Sequence, residues 1–495
     1  MNANRRPTRI TALLATAALV LTACSGSSSP SPSAAAASAA ASAGGNQPSS
    51  SPAAQPSSSP AGAPVSLTIA ANAVVGGKSD QEASWITNYV IPTFEKEMAA
   101  QGKNVTVQFN GTGVADEDYK AQLALDLKSG AGADVFDMDG IWIGEFAQAN
   151  YIKPLTTVAG SVVDSWDGWA QIPTAVQDNM SFGGQRYGLS MGTDGRFLYF
   201  NKDVLAKAGL PADWQPKSWA DIISAAQAIK AKVPGVTPLQ IDAGTAMGEA
   251  TTMQGVLPLL AGTGVKIYDE TTQKWQGDTP NLEAVLSFYQ QVYSSGLGDP
   301  QLQAAAKGRD QSFQLFSQQK IGILAESDYM WRGILNPTGG DFPMANRATE
   351  VGYVFMPAQN PGSGIRKQDY VSMSGGGGRV LNPNSKNPKE AWALLSFMAS
   401  KDAVLAYVGK QPQITMRQDV NDATLSSDPL LLWTSQKVLP LTAYRPGFAV
   451  YPQVSQALQL ATQEVVAGKS VASAAKEYND TLVKLVGADH VASGG

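Results

Sequence analysis

The chain has 495 residues, with 36 Lys+Arg against 41 Asp+Glu and a formal charge of −5. A hydrophobic fraction of 43%, with 10 Trp, 15 Tyr and 14 Phe, is enough for a substantial core, and the length allows more than one domain. One Cys (Cys24) and one His (His490) exclude intrachain disulfides, Cys/His zinc clusters and Cys–His catalytic pairs, and the acidic balance argues against a nucleic-acid partner, which needs a basic face.

Arg5, Arg6 and Arg9 precede an apolar run from Ile10 to Leu21, which is too short to span a bilayer and reads as an export signal over 1–23. Leu21-Thr22-Ala23-Cys24 resembles the lipobox of bacterial lipoproteins. That resemblance implies cleavage before Cys24 and acylation of its thiol and new amino group. Several acyl chains at about 0.8 kcal/mol per buried CH2 give a stable anchor. Residues 25–64 hold 14 Ser, 12 Ala, 7 Pro and 4 Gly and no charged or aromatic residue, so 24–64 reads as a disordered tether on a lipid anchor. Its average span is roughly 35 Å. The expected location is extracytoplasmic, on the bacterial cell membrane.

From Val65 the pattern becomes that of a folded body. Val65 to Ile69 alternates as a strand. Ile86, Val90, Phe94 and Met98 make a helix face, with a kink expected at Pro92. Val105 to Phe109 is a second strand, Tyr119, Leu123 and Leu127 mark a second helix, and Asp134 to Met138 is a third strand leading into a helix near 141–149. A second series starts at the strand Phe197 to Phe200, followed by a helix capped at Ser218 and strands at Ile321–Leu324 and Val351–Phe355. Asn387-Pro388 opens another helix, and the chain ends in helices around 454–466 and 471–485, with His490 in a frayed tail. Strands alternating with helices predict an α/β fold with crossover connections.

Most candidate chemistry fails on local context. Gly188-Leu189-Ser190-Met191-Gly192 matches a nucleophile elbow, but no histidine is placed to serve it and an extended segment follows where a helix is required. Ala467-Gly468-Lys469-Ser470 closes a helix, where a phosphate loop must open one. Gly375 to Gly378 lacks dinucleotide register, and Asp116-Glu117-Asp118 reads as a solvated helix start. The sequence therefore predicts no metal and no cofactor. What remains is a set of polar and aromatic residues placed where strands end. They are Asp139 and Trp142 after the third strand, Asp194 before the Phe197 strand, Trp331 after the Ile321 strand, Gly376 in the glycine run, and Tyr444-Arg445 before a helix. Ligands of open α/β sheets bind at the carboxyl ends of strands. Carboxylates and guanidinium forks suit sugar hydroxyls, and flat aromatic rings suit the C–H faces of pyranoses.

The order of several blocks is similar to that of sugar-binding lipoproteins of ABC importers, closest to the maltose/trehalose-binding branch. They are Ala133 to Ala147 with Ile152 to Leu155, Arg186 to Asp203 with Lys207 to Leu210, the glycine run with the Pro388 helix, and Arg445-Pro446 before Tyr451 to Ser455. The resemblance implies a two-lobed periplasmic-binding-protein-like α/β fold with hinge crossovers near 188–194, 370–375 and 411–416. One lobe would hold 65–188 and 371–412, the other 189–370 and 413–495. It further implies that Asp139 and Asp194 accept hydroxyls, Trp331 stacks on a ring, Gly376 offers backbone amides and Arg445 donates, with Trp142 and Tyr444 in support. The expected protein is a monomer with no enzymatic activity. It would capture a neutral carbohydrate, an oligosaccharide, and hand it to ABC permease subunits and their ATPase, touching the membrane only through acylated Cys24. A lipid-anchored carbohydrate-active hydrolase using a carboxylate pair is the alternative.

Overall fold

The computed structural model describes residues 63–409 and 412–494. The signal segment, Cys24 and nearly all of the tether lie outside the described residues, as does the start of the last expected crossover. Ten strands carry the architecture: β1 (Val65–Ala71), β2 (Val105–Gly111), β3 (Val135–Asp139), β4 (Gly188–Ser190), β5 (Arg196–Asn201), β6 (Thr237–Gln240), β7 (Ile321–Ser327), β8 (Val351–Val354), β9 (Tyr370–Met373) and β10 (Gly377–Leu381).

The strands sort into two main sheets, one in each lobe of a two-lobed α/β fold. The first has the order β2-β1-β3-β10-β4; β2, β1 and β3 run parallel, and β10 runs antiparallel to both β3 and β4. The second has the order β8-β5-β7-β6, parallel only between β7 and β6. The chain leaves the first sheet at Ser190 and enters the second at Arg196, so the elbow-like Gly188–Gly192 stretch is an edge strand followed by a crossing. It returns through β9, which pairs with Met356–Pro357 and Thr442–Ala443 in a small sheet of its own, and then through Ser374–Gly376 into β10.

The helix pattern expected from Ile86, Val90, Phe94 and Met98 is present, and all four side chains are buried. The helix winding widens just before Pro92. Helix α1 (Asp80–Trp85) runs through a π-turn at Ile86–Val90 into α2 (Ile91–Ala100). A proline ring removes one N–H and crowds the carbonyl four residues back, and a widened turn relieves both. The same device precedes Pro258, at Thr251–Val256, and Pro440, at Thr434–Val438. Helix α3 (Asp116–Lys128) packs Tyr119, Leu123 and Leu127 on the first sheet, and α4 (Ile143–Gln148) follows a single 3-10 turn after β3.

The carboxyl-terminal tail is not frayed. Val491–Ala492 pairs in parallel with Lys274–Gln276, and Val491 is buried in the core of the second lobe. Two residues are too short a strand to show in a pattern of period two.

Candidate functional site

A cavity of about 370 Å3 opens where β1 and β3 end and β10 begins. Its floor comes from the alternation of β3. Val135, Phe136 and Met138 are buried, while Asp137 and Asp139, two positions apart, line the cavity together. Arg379 of β10 stands beside Asp137 in register, and Gly377 stands beside Asp139.

Asp137 accepts a hydrogen bond from the Tyr119 hydroxyl and another from the Asn72 N–H at 3.2 Å. Burial pushes its carboxyl up to about 6; the Arg379 charge opposes this and the Glu82 carboxylate adds to it. Arg379 is only 2% exposed. It donates to Glu82 at 2.5 Å and lies 5.7 Å from the centre of the Trp85 ring, while its Nε has no hydrogen-bond partner among the described residues. Asp139 caps the 3-10 turn Gly140–Trp142 by accepting from the Ile141 N–H at 3.1 Å. Burial raises its pKa, against that hydrogen bond and the charge of Arg445.

Other walls come from the crossings and from the second lobe. Met191, Gly192 and Thr193 line the cavity on the path from β4 to β5, and Gln413 to Thr415 line it on the returning segment. Arg332, held by its Nε on Asp328 at 2.6 Å, reaches it from the end of β7. Each carboxylate of the cavity has an answering group. Asp116 pairs with Lys78 at 2.7 Å, Glu82 with Arg379, Asp137 with Tyr119 and Arg379, and Asp139 with the field of Arg445. Among the described residues no cluster of His, Cys, Asp and Glu is arranged to hold a metal ion.

The family model described as bacterial extracellular solute-binding protein matches residues 77–405. The chain belongs to this family. The solute-binding protein is 23% identical to a binding protein of Brucella abortus over 386 residues, covering 76% of this chain and 85% of that one. Its fold is similar to that of the sugar-binding protein MalE of Xanthomonas citri, with a TM-score of 0.66 at 17% identity over 85% of this chain and 97% of that chain. It is also similar to the cyclic alpha-maltosyl-1,6-maltose binding protein of Arthrobacter globiformis, with a TM-score of 0.64 at 19% identity, covering 85% and 100%.

Of the residues expected at the site of this solute-binding protein, Asp139 and Trp142 line the main cavity, and the others do not. Asp194 spends one carboxylate oxygen on the crossings, accepting from Arg196 at 2.7 Å and from the Gly375 N–H at 2.7 Å. Burial would raise its pKa, but Arg196 and that N–H hold it below the usual carboxylate range.

Trp331 is 5% exposed. Its indole N–H donates to Asp428 at 2.9 Å, and the Arg347 guanidinium covers its ring at 3.9 Å, so no face is left for a sugar. The π-turn Met330–Ile334 directs it into the core, and the aromatic offered to solvent here is Tyr329, 43% exposed.

Gly376 uses its carbonyl, which accepts from the Gly140 N–H at 3.1 Å and from Asn179 at 3.0 Å. Its φ is 133°, and a Cβ there would sit 2.4 Å from the Gly192 carbonyl, so the close approach that glycine permits is to the crossing strand.

Tyr444 and Arg445 line a second cavity of about 250 Å3 with Phe182, Tyr268 and Phe448. Tyr444 shares a hydrogen bond with Thr193 at 2.8 Å, and Arg445 donates to Glu249 at 3.2 Å.

Sequence reasoning missed Asp137, Tyr119, Arg332 and Arg379 as lining residues. One signal was present: an aspartate inside an otherwise apolar strand, with a second aspartate two positions on, marks a polar strip on one face of β3.

Proposed function

We propose that this solute-binding protein captures a neutral carbohydrate between its lobes and passes it, chemically unaltered, to an ABC permease with its ATPase. The observation that carries this reading is the charge pairing of the cavity. It offers several charged acceptors and donors, yet each carboxylate already faces a cation or a donor, so an ionic ligand would leave one side uncompensated. Polyhydroxylated ligands both donate and accept and bring no charge. Trp85, Trp142 and Tyr407 supply apolar edges for the ring carbons. The sugar-binding relatives of the same fold support the reading.

Lobes made of 65–188 with 371–412 and of 189–370 with 413–495 would close by rotation at the crossings. Asp194 and Gly376 act there as structural links between the crossing segments. A ligand touching both lobes shifts the open–closed equilibrium by its difference in affinity for the two states. Acylation of Cys24 after removal of 1–23 would hold the monomeric body on the outer face of the membrane, with 25–64 as its tether.

Titration calorimetry against a panel of neutral mono- and oligosaccharides tests the reading. One sugar series should bind; silence from all sugars alongside a response to amino acids or peptides would reject it.

A further inference from the structure

Resting on the carbohydrate reading, we propose that Asp328 is a positioning residue for ligand binding: it fixes the Arg332 guanidinium at the cavity by anchoring it to the backbone of the crossing at Gly195. Asp328 directly follows β7, which pairs antiparallel with β5 as far as Ser327 beside Arg196. The pairing then goes one step further. The Asp328 N–H donates to the Gly195 carbonyl at 3.0 Å, and the Gly195 N–H donates to Asp328 Oδ1 at 2.9 Å. Oδ2 accepts from Arg332 Nε at 2.6 Å. One carboxylate thus holds the crossing with one oxygen and a cavity-lining donor with the other.

The local winding brings the pair together. Residues four apart share a helical face, and side chains there lean toward the amino end, so Arg332 folds back over Asp328. The bond is made by Nε, the inner nitrogen of the fork, which leaves the two outer nitrogens for the end of the side chain that reaches the cavity. Asp328 is fully buried, whereas the Arg332 side chain is 34% exposed.

A buried carboxylate is costly unless charges or donors answer it. Burial raises the Asp328 carboxyl, Arg332 opposes this and Asp194 adds to it. Asp194 is held in turn by Arg196 at 2.7 Å. Two carboxylates and two guanidiniums balance at the crossing, and Arg332 is the one of the four that lines the cavity. Its charge is answered from behind, so it meets the ligand as a fixed hydrogen-bond donor.

The test is a double-mutant cycle read by calorimetry on the intact protein. The probe is whichever neutral sugar of a mono- and oligosaccharide panel binds the parent most tightly. Asp328→Asn keeps an oxygen for the Gly195 N–H and loses the hold on Arg332. It should weaken binding at least about fivefold in the parent and less than about twofold in an Arg332→Ala background. Equal losses in both backgrounds, or no loss in either, would overturn the positioning role and leave the carbohydrate reading standing. Silence from every sugar in the parent would overturn both. Should Asp328→Asn fail to fold, Arg332→Lys decides, because a single ammonium cannot bond Asp328 and also present a fork. A loss of at least about fivefold supports the role, and a smaller one overturns it.

Discussion

Replacing Asp137 by Asn should change how stability depends on pH, by an amount that follows from its surroundings. Its carboxyl is raised from an ordinary 3.8 to about 6, first by burial, with Arg379 opposing and Glu82 adding. A carboxyl whose folded value lies above its unfolded value holds its proton more tightly when folded. Its contribution to stability is therefore complete below the unfolded value and disappears as pH rises through the folded one. Two units correspond to about 3 kcal/mol in all, of which about 2 kcal/mol is lost between pH 4.5 and 7.5. Asn cannot titrate; its single carbonyl oxygen can accept from Tyr119 or from the Asn72 N–H, which Asp137 serves with separate oxygens, and the loss of one bond shifts stability equally at every pH. Urea unfolding of parent and Asp137→Asn at pH 4.5, 6 and 7.5 measures the effect, with equal m-values as the control. The stability of the variant relative to the parent should rise by about 2 kcal/mol across that range. A difference that does not change with pH would refute the reasoning, because it would mean that Asp137 is ionised throughout.

Trp331→Ala should cost about 3 kcal/mol of stability or more, as for other buried tryptophans, whereas the neighbouring exposed Tyr329→Ala should cost less than about 0.5 kcal/mol; denaturation midpoints separate the two. Asp139→Asn should weaken sugar binding by about 1.5 to 3 kcal/mol, the scale of a hydrogen bond to a charged group, as read by calorimetry. Truncation after Gly487 removes the buried Val491 and its strand pairing, and should lower stability by about 2 kcal/mol with a fall in melting temperature.

Elements with strong periodicity were legible from sequence. The apolar alternation of β1, the four-residue repeat from Ile86 through α2 and the Ser218 cap each match what folds, because each is decided by neighbours along the chain. Residues set by tertiary partners were not legible. Trp331 and Tyr329 lie two positions apart, and only the π-turn beneath them decides which faces solvent. Gly376 was expected to approach a ligand and approaches Gly192 instead, a contact fixed by where two crossings meet. Arg379 follows the glycine run directly, but its role depends on Asp137 and Glu82, which lie far away in sequence and come together only when β10 inserts between β3 and β4.

The central claim is that one sugar is clamped in the charged cavity between the lobes. A crystal structure of the protein with its bound carbohydrate tests this most directly. The account predicts an intact sugar touching Asp139 and Trp142 on one side and Arg332 and Thr193 on the other. A ligand seated outside that cavity, or found there in cleaved form, would contradict it.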